Sequence, residues 1–191
     1  MYVTVTEQLA TGLVKLIRTE KKEKEIRMKY MLVALLSLMF ASTAFADDSV
    51  VRWNNVEGVI TALNVDNPIA DIHSGTFPWT TRTGHARVDL DTGATRFDVR
   101  GLSINGAVFS GTPGPITAVT GTLVCDAGEA DEAILDTDQV SLSADGHAHF
   151  NGMIGPLPNP CTNPLFLIRI AIPAGAAGLW IATGTERTGG N

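Results

Sequence analysis

From Asp47 to its C-terminus the chain contains no lysine and no tyrosine. Residues 1–46 hold seven of the 14 basic groups and four of the 20 acidic ones, which leaves 47–191 with seven arginines against 16 acidic groups, net −9. Phosphate recognition depends on clustered Lys or Arg, and the sequence shows no such cluster, which argues against a nucleic-acid binder. The same lack argues against a polybasic membrane-surface protein. Disorder throughout is excluded on other grounds, because 45% of the residues are apolar. Long apolar runs are also missing. The nearly unbroken run Met31–Phe40, interrupted by Ser37, falls short of the roughly 20 residues that span a bilayer, so the mature chain is expected to have no transmembrane anchor.

What is present near the N-terminus reads as an address. Residues 28–46 place Lys29 before the apolar run and end on Ala44-Phe45-Ala46, a small-x-small cleavage site. That layout predicts a secretory signal peptide cut after Ala46 and a secreted or periplasmic protein. No Cys follows the cut and no twin Arg precedes the run, so neither a lipoprotein nor twin-arginine export is expected. Residues 1–27 are Lys- and Glu-rich, and Lys24-Glu25 can be encoded as a ribosome-binding site just ahead of Met28. We expect 1–27 to be an upstream extension of the reading frame, with translation starting at Met28.

Cleavage leaves 145 residues, the size of one domain. Gly and Pro punctuate it throughout, and between them lie short alternating stretches. These predict strands over Val56–Val65, His85–Leu90, Thr95–Leu102, Ala107–Ser110, Ile116–Val124, Ala133–Leu142, His147–Ile154, Leu165–Ile172 and Gly178–Thr185. In the second and third, Ala86, Val88, Leu90, Phe97 and Val99 fall on one face. His85, Arg87, Asp89, Arg96, Asp98 and Arg100 fall on the other. Asp91-Thr92-Gly93-Ala94 between them has hairpin-turn composition. Leu165–Ile172 is apolar on both faces, as a central strand is. No long helical period occurs. The expected fold is all-β, a single antiparallel β-sandwich or barrel-like domain over 47–191, ending in a loose tail at 187–191.

Cys125 and Cys161 are the only cysteines. In an exported chain they predict one structural disulfide. A redox pair is disfavoured because Cys-x-x-Cys is absent.

Catalytic signals are sparse. Leu90-Asp91-Thr92-Gly93-Ala94 resembles the loop of retroviral-type aspartic proteases, but there is no second Asp-Thr-Gly to share a proton with it. Gly-x-Ser-x-Gly is missing, and no Lys follows Gly111-Thr112-Pro113-Gly114-Pro115 to hold a phosphate. The acidic stretch Asp126–Asp138 lacks the EF-hand spacing for Ca²⁺ and reads as a solvated loop. His147-Ala148-His149 would put two imidazoles on one strand face about 7 Å apart, a spacing that can chelate Zn or Cu. His73, His85, Asp71 or Asp145 could complete the shell. Secreted copper-zinc superoxide dismutases are similar in combining a β-sandwich, a disulfide and His-x-His, though their wider His pattern is absent here. A histidine pair alone makes no closed site. Of the three Trp, Trp180 reads as core. Trp79, with Phe77 in the Phe77-Pro78-Trp79-Thr80 loop, is the expected exposed platform for a ligand or partner.

Gly121-Thr122-Leu123-Val124-Cys125, Leu142–Phe150, Phe166-Leu167-Ile168-Arg169 and Trp180-Ile181-Ala182 together resemble small secreted bacterial β-domain proteins. That resemblance covers most of residues 50–187 and implies an exported β-domain with no particular activity. Ile72-His73-Ser74-Gly75 and Gly84–Leu102 are similar to chordin-type (CHRD) β-domains. The expectation is therefore an exported, non-catalytic binding or structural envelope module that meets an extracytoplasmic ligand or protein. The alternative is a Zn- or Cu-binding protein centred on His147, His149 and His73.

Overall fold

Alternation of small apolar and polar residues in short runs favours strands, and seven of the nine predicted runs form them. The computed structural model describes residues 49–106 and 108–189, so the signal peptide 28–46 and the segment 1–27 lie outside the described residues. The strands are β1 (Val50–Gly58), β2 (Trp79–Thr80), β3 (Thr83–Asp89), β4 (Ala94–Arg100), β5 (Ser103–Ile104), β6 (Ala118–Cys125), β7 (Ala133–Asp136), β8 (Val140–Ser141), β9 (Ala148–Met153), β10 (Leu165–Ala171) and β11 (Ala177–Thr188). One antiparallel sheet runs in the order β7-β6-β10-β11-β1-β3-β4-β9, with β8 also on β6; β2 and β5 form a separate pair. The sheet curls into a half-barrel. The Ser143–Gly146 turn joins β8 to β9, with the His147 amide donating to the Ser143 hydroxyl at 3.0 Å. This hairpin links the β6 side of the sheet to its β4 edge.

Inside the curl a line of four rings forms the core. Trp53 lies 5.5 Å from Phe166, Phe166 lies 5.8 Å from Phe97, and Phe97 lies 5.8 Å from Phe150. Phe97 and Phe150 are directly opposite on β4 and β9. Glycine makes room for these rings. A Cβ on Gly121 would sit 2.7 Å from Phe97 Cε1, one on Gly152 would sit 2.8 Å from Phe150 Cζ, and one on Gly184 would sit 2.5 Å from the Trp53 indole. Those contacts are closer than carbon atoms allow, so the rings lie directly on bare backbone.

The Cys125–Cys161 disulfide is present, with a sequence separation of 36. It ties the end of β6 to the Pro-rich segment before β10. Asp126, beside it, accepts from the Thr162 hydroxyl and from the Thr162 amide. Closing a loop of this size contributes roughly 4 kcal/mol in the chain-entropy account.

Four expectations are corrected. The first strand is Val50–Gly58, not Val56–Val65: after Val59 the chain leaves the sheet, and Ile60, Leu63 and Val65 are exposed. The segment predicted as Ala107–Ser110 is a turn over its described part, 108–110. Ala133–Leu142 breaks into β7 and β8, because Thr137 turns its hydroxyl onto the Gly121 amide (3.0 Å). The tail is not loose through 188, since Arg187 and Thr188 pair with Trp53 and Arg52.

Phe97 is fully buried. Phe97→Ala should lower stability by about 3–5 kcal/mol, read as a drop in urea midpoint with unchanged slope. Gly121→Ala should cost about 1–3 kcal/mol by overpacking, and less in a Phe97→Leu background. Equal costs in both backgrounds would contradict the ring-on-glycine packing.

Candidate binding cleft and the wet face of the sheet

On β3, β4 and β9 the inward residues build the core, so their alternates must face water. Pairing then sets these polar side chains in rows. His85, Asp98 and His149 are mutually opposite across the three strands. Asp98 Oδ1 accepts from Arg100 Nε at 3.0 Å, and His149 Nδ1 lies 3.5 Å from Oδ2. Partial burial works to raise the Asp98 pKa. The Arg100 hydrogen bond and the positive fields of Arg100, His85 and His149 outweigh it, holding the carboxyl below its ordinary range.

Beside this row the half-barrel opens on a cleft of about 550 Å³ lined by Thr80, Arg82, Gly101, Ser103, Gly111, Asp145 and His147. Its position follows from local structure. Gly101 and Gly111 adopt left-handed φ of 67° and 82°, which lets the chain turn away from β4 and over β5. The Gly146 amide closes the Ser143 turn, and the Leu102 amide donates to the Gly146 carbonyl. That bond clamps the Asp145–His147 tip against the cleft. A second hollow of about 320 Å³ lies against Asp98, Arg100, Ser141, His147 and His149, so His147 borders both. Gly111 of the 108–112 turn lines the cleft, and the same turn exposes Val108 and Phe109. The cleft thus offers a guanidinium, an imidazole, hydroxyls and one carboxylate.

Several expected site residues stand elsewhere. Trp79 is 3% exposed and is no surface platform: it pairs with Ile104 in β2–β5, and Gly58 lies so close that a Cβ there would touch its carbonyl at 2.5 Å. The Pro and Gly around it suggested an open loop, but that loop folds inward. Phe77 is half-buried and packs on the core. His73 is drawn off to the β11 side by Asp66, with Nδ1 2.5 Å from Oδ2, while its carbonyl accepts from the Trp180 amide. It therefore does not join His147 and His149. Asp71 is exposed in the loop before it. Among the described residues no group of three or more His, Cys, Asp or Glu side chains has metal-holding spacing. In the acidic stretch, Glu132 accepts from the Gly128 amide and Asp136 accepts from Thr122. The Asp-Thr-Gly run is the β3–β4 hairpin, with Asp89 accepting from the Asp91 and Thr92 amides at 3.0 and 3.1 Å.

Sequence reasoning missed Arg82 and Ser103. Only Gly101 and Gly111, both bracketing short polar turns, hinted at a cleft there. Among the described residues no helix is long and apolar enough to cross a membrane.

The carboxyls of Asp66, Asp89 and Asp98 are all held low. For Asp66 the main cause is the His73 hydrogen bond, for Asp89 the Thr92 amide, and for Asp98 the balance given above. A depressed acid adds stability that is complete above its unfolded pKa, about 3.9, and is lost as pH falls through its folded value. Unfolding free energy should therefore decline as pH drops below about 4, and Asp98→Asn should make that decline shallower. A pH series of urea melts checks this; identical acid limbs in the two proteins would refute the Asp98 cluster. No family model, no curated protein and no solved structure matches the chain.

Proposed function

We propose that the chain is an exported, non-catalytic binding module that takes a sugar-sized polar ligand in the cleft at Arg82, Ser103, Asp145 and His147. One observation carries this reading: a cleft of about 550 Å³ whose lining groups are both donors and acceptors. Hydroxyl-rich rings need that mixture, since each hydroxyl both donates and accepts. Such ligand sites are concave, with few well-placed polar groups. A nucleophile held by a base would be needed for covalent hydrolysis, and the cleft's Ser103 turns its hydroxyl toward the Gly101 carbonyl instead.

Export rests on the 28–46 leader layout and is compatible with the disulfide. Protein recovered from the extracytoplasmic fraction should begin at Asp47 on N-terminal sequencing. Recovery of an intact leader from that fraction would refute the cleavage.

Titration of ¹⁵N-labelled protein with chito-, cello- and peptidoglycan-derived oligosaccharides tests the cleft. Amide shifts should concentrate at Gly101, Gly111 and Asp145–His147. His147→Ala and Arg82→Ala should each weaken binding about tenfold. Shifts confined to other surfaces, or turnover of the sugar, would overturn the reading.

A further inference from the structure

We propose that the outer face of β1, β3 and β4 is a second binding surface, built to dock a carboxylated polysaccharide on a row of arginines. This surface is independent of the cleft. The row is set by strand register. Arg52 on β1 is directly opposite Arg87 on β3, and Arg87 is directly opposite Arg96 on β4. Asn151 on β9 continues it beyond Arg96. All three guanidinium side chains are exposed. Arg100 stands four residues along β4 from Arg96, on the same face beyond Asp98, so four of the seven arginines after residue 46 share this face.

Like charges placed directly opposite each other on neighbouring strands destabilise a sheet. Among the described residues the repulsion is scarcely relieved from within. The ion pairs among the described residues are His73–Asp66, Arg100–Asp98, His149–Asp98 and Arg169–Asp136, and none includes Arg52, Arg87 or Arg96. Asp89 acts on Arg87 only through its field, and its oxygen is held by the hairpin amides. Arg52 reaches back to the Val50 carbonyl at 3.3 Å. A shallow hollow of about 170 Å³ lies among Arg87, Ala94, Thr95, Arg96 and Asn151, where an oxyanion can meet two guanidinium groups and an amide at once. In a domain of net −9, an arginine row that costs stability points to an external anion.

The geometry selects the kind of anion. Neighbouring strands are about 4.8 Å apart, so the row presents one positive group per strand. That spacing suits a polymer with one carboxylate per sugar ring. A DNA duplex carries a charge about every 1.7 Å and would be repelled more strongly by the acidic remainder of the domain. Single-stranded nucleic acid is held on stacking platforms of large aromatics, and the outward positions of β3, β4 and β9 carry no Phe, Tyr or Trp. Anchoring at a lipid surface draws on an apolar face as well as charge, and Met153 is the one large exposed apolar residue on these three strands.

The test uses the purified full chain and polygalacturonate as probe, by calorimetric titration at low and near-physiological salt. Binding should be present and should weaken with salt. It should fall about tenfold in Arg87→Gln, as expected for a lost charged hydrogen bond, and fall further in Arg87→Gln/Arg96→Gln. Arg187→Gln, which removes the same charge elsewhere, should bind as the parent does. The double variant should melt no lower than the parent, because a repulsion has been removed; a lower melting point with unchanged binding would mark the row as structural. Fully methyl-esterified polymer should not bind. The proposal is overturned if polygalacturonate does not bind, if the esterified form binds equally, or if duplex DNA or phosphatidylglycerol-containing vesicles bind more tightly. None of these outcomes alters the oligosaccharide titration of the cleft, so the two readings fail separately.

Discussion

Aromatic rings resting on bare glycine backbone are the contact on which this half-barrel depends. Trp53, Phe166, Phe97 and Phe150 come from four different strands and touch in sequence. Gly184, Gly121 and Gly152 lie beneath them, where no side chain would fit. A glycine in a strand ordinarily weakens it. Here the ring above supplies the packing that the missing side chain would have given, and the sheet can curl tightly around the stack. Because each ring faces inward, its strand neighbours must face outward. The rows on the wet face are therefore a consequence of the core.

That coupling explains how a strongly acidic domain comes to carry a basic patch. Arg87 and Arg96 are fixed outward by Ala86, Val88 and Phe97 on the inside, and strand register then makes them neighbours. Asp98 is placed in the same way between His85 and His149, where positive groups hold its carboxyl low. Net charge alone concealed this, since charges separated along the chain become adjacent only through pairing. The absence of a Lys or Arg run argues against nucleic acid; it does not exclude a basic surface assembled from separate strands.

Much of the architecture was legible beforehand. The alternation in His85–Leu90 and Thr95–Leu102, the hairpin at Asp91–Ala94 and the central apolar strand at Leu165–Ile172 all depend on local pattern, and all are found within a residue or two. The Cys125–Cys161 bond followed from there being two cysteines. The errors share a cause. Val59–Val65 alternates as a strand does, yet its backbone finds partners in Ile181, Trp79 and Thr76 across the fold and turns away. Trp79 sits among turn-forming residues, yet its backbone packs against Gly58 and pairs with Ile104, and its side chain is buried. In both cases the deciding contact is distant in sequence.

The sequence by itself determined an all-β chain, the two faces of its regular strands, one disulfide and the acidic, lysine-free character of everything after residue 46. These depend on composition and on neighbours two residues apart. Only the tertiary structure decided which aromatics are buried, that His73 is held by Asp66 away from His147 and His149, where the cleft opens, and that arginines from three strands form one row. Each of these requires strand order and register, which are set by packing between segments tens of residues apart.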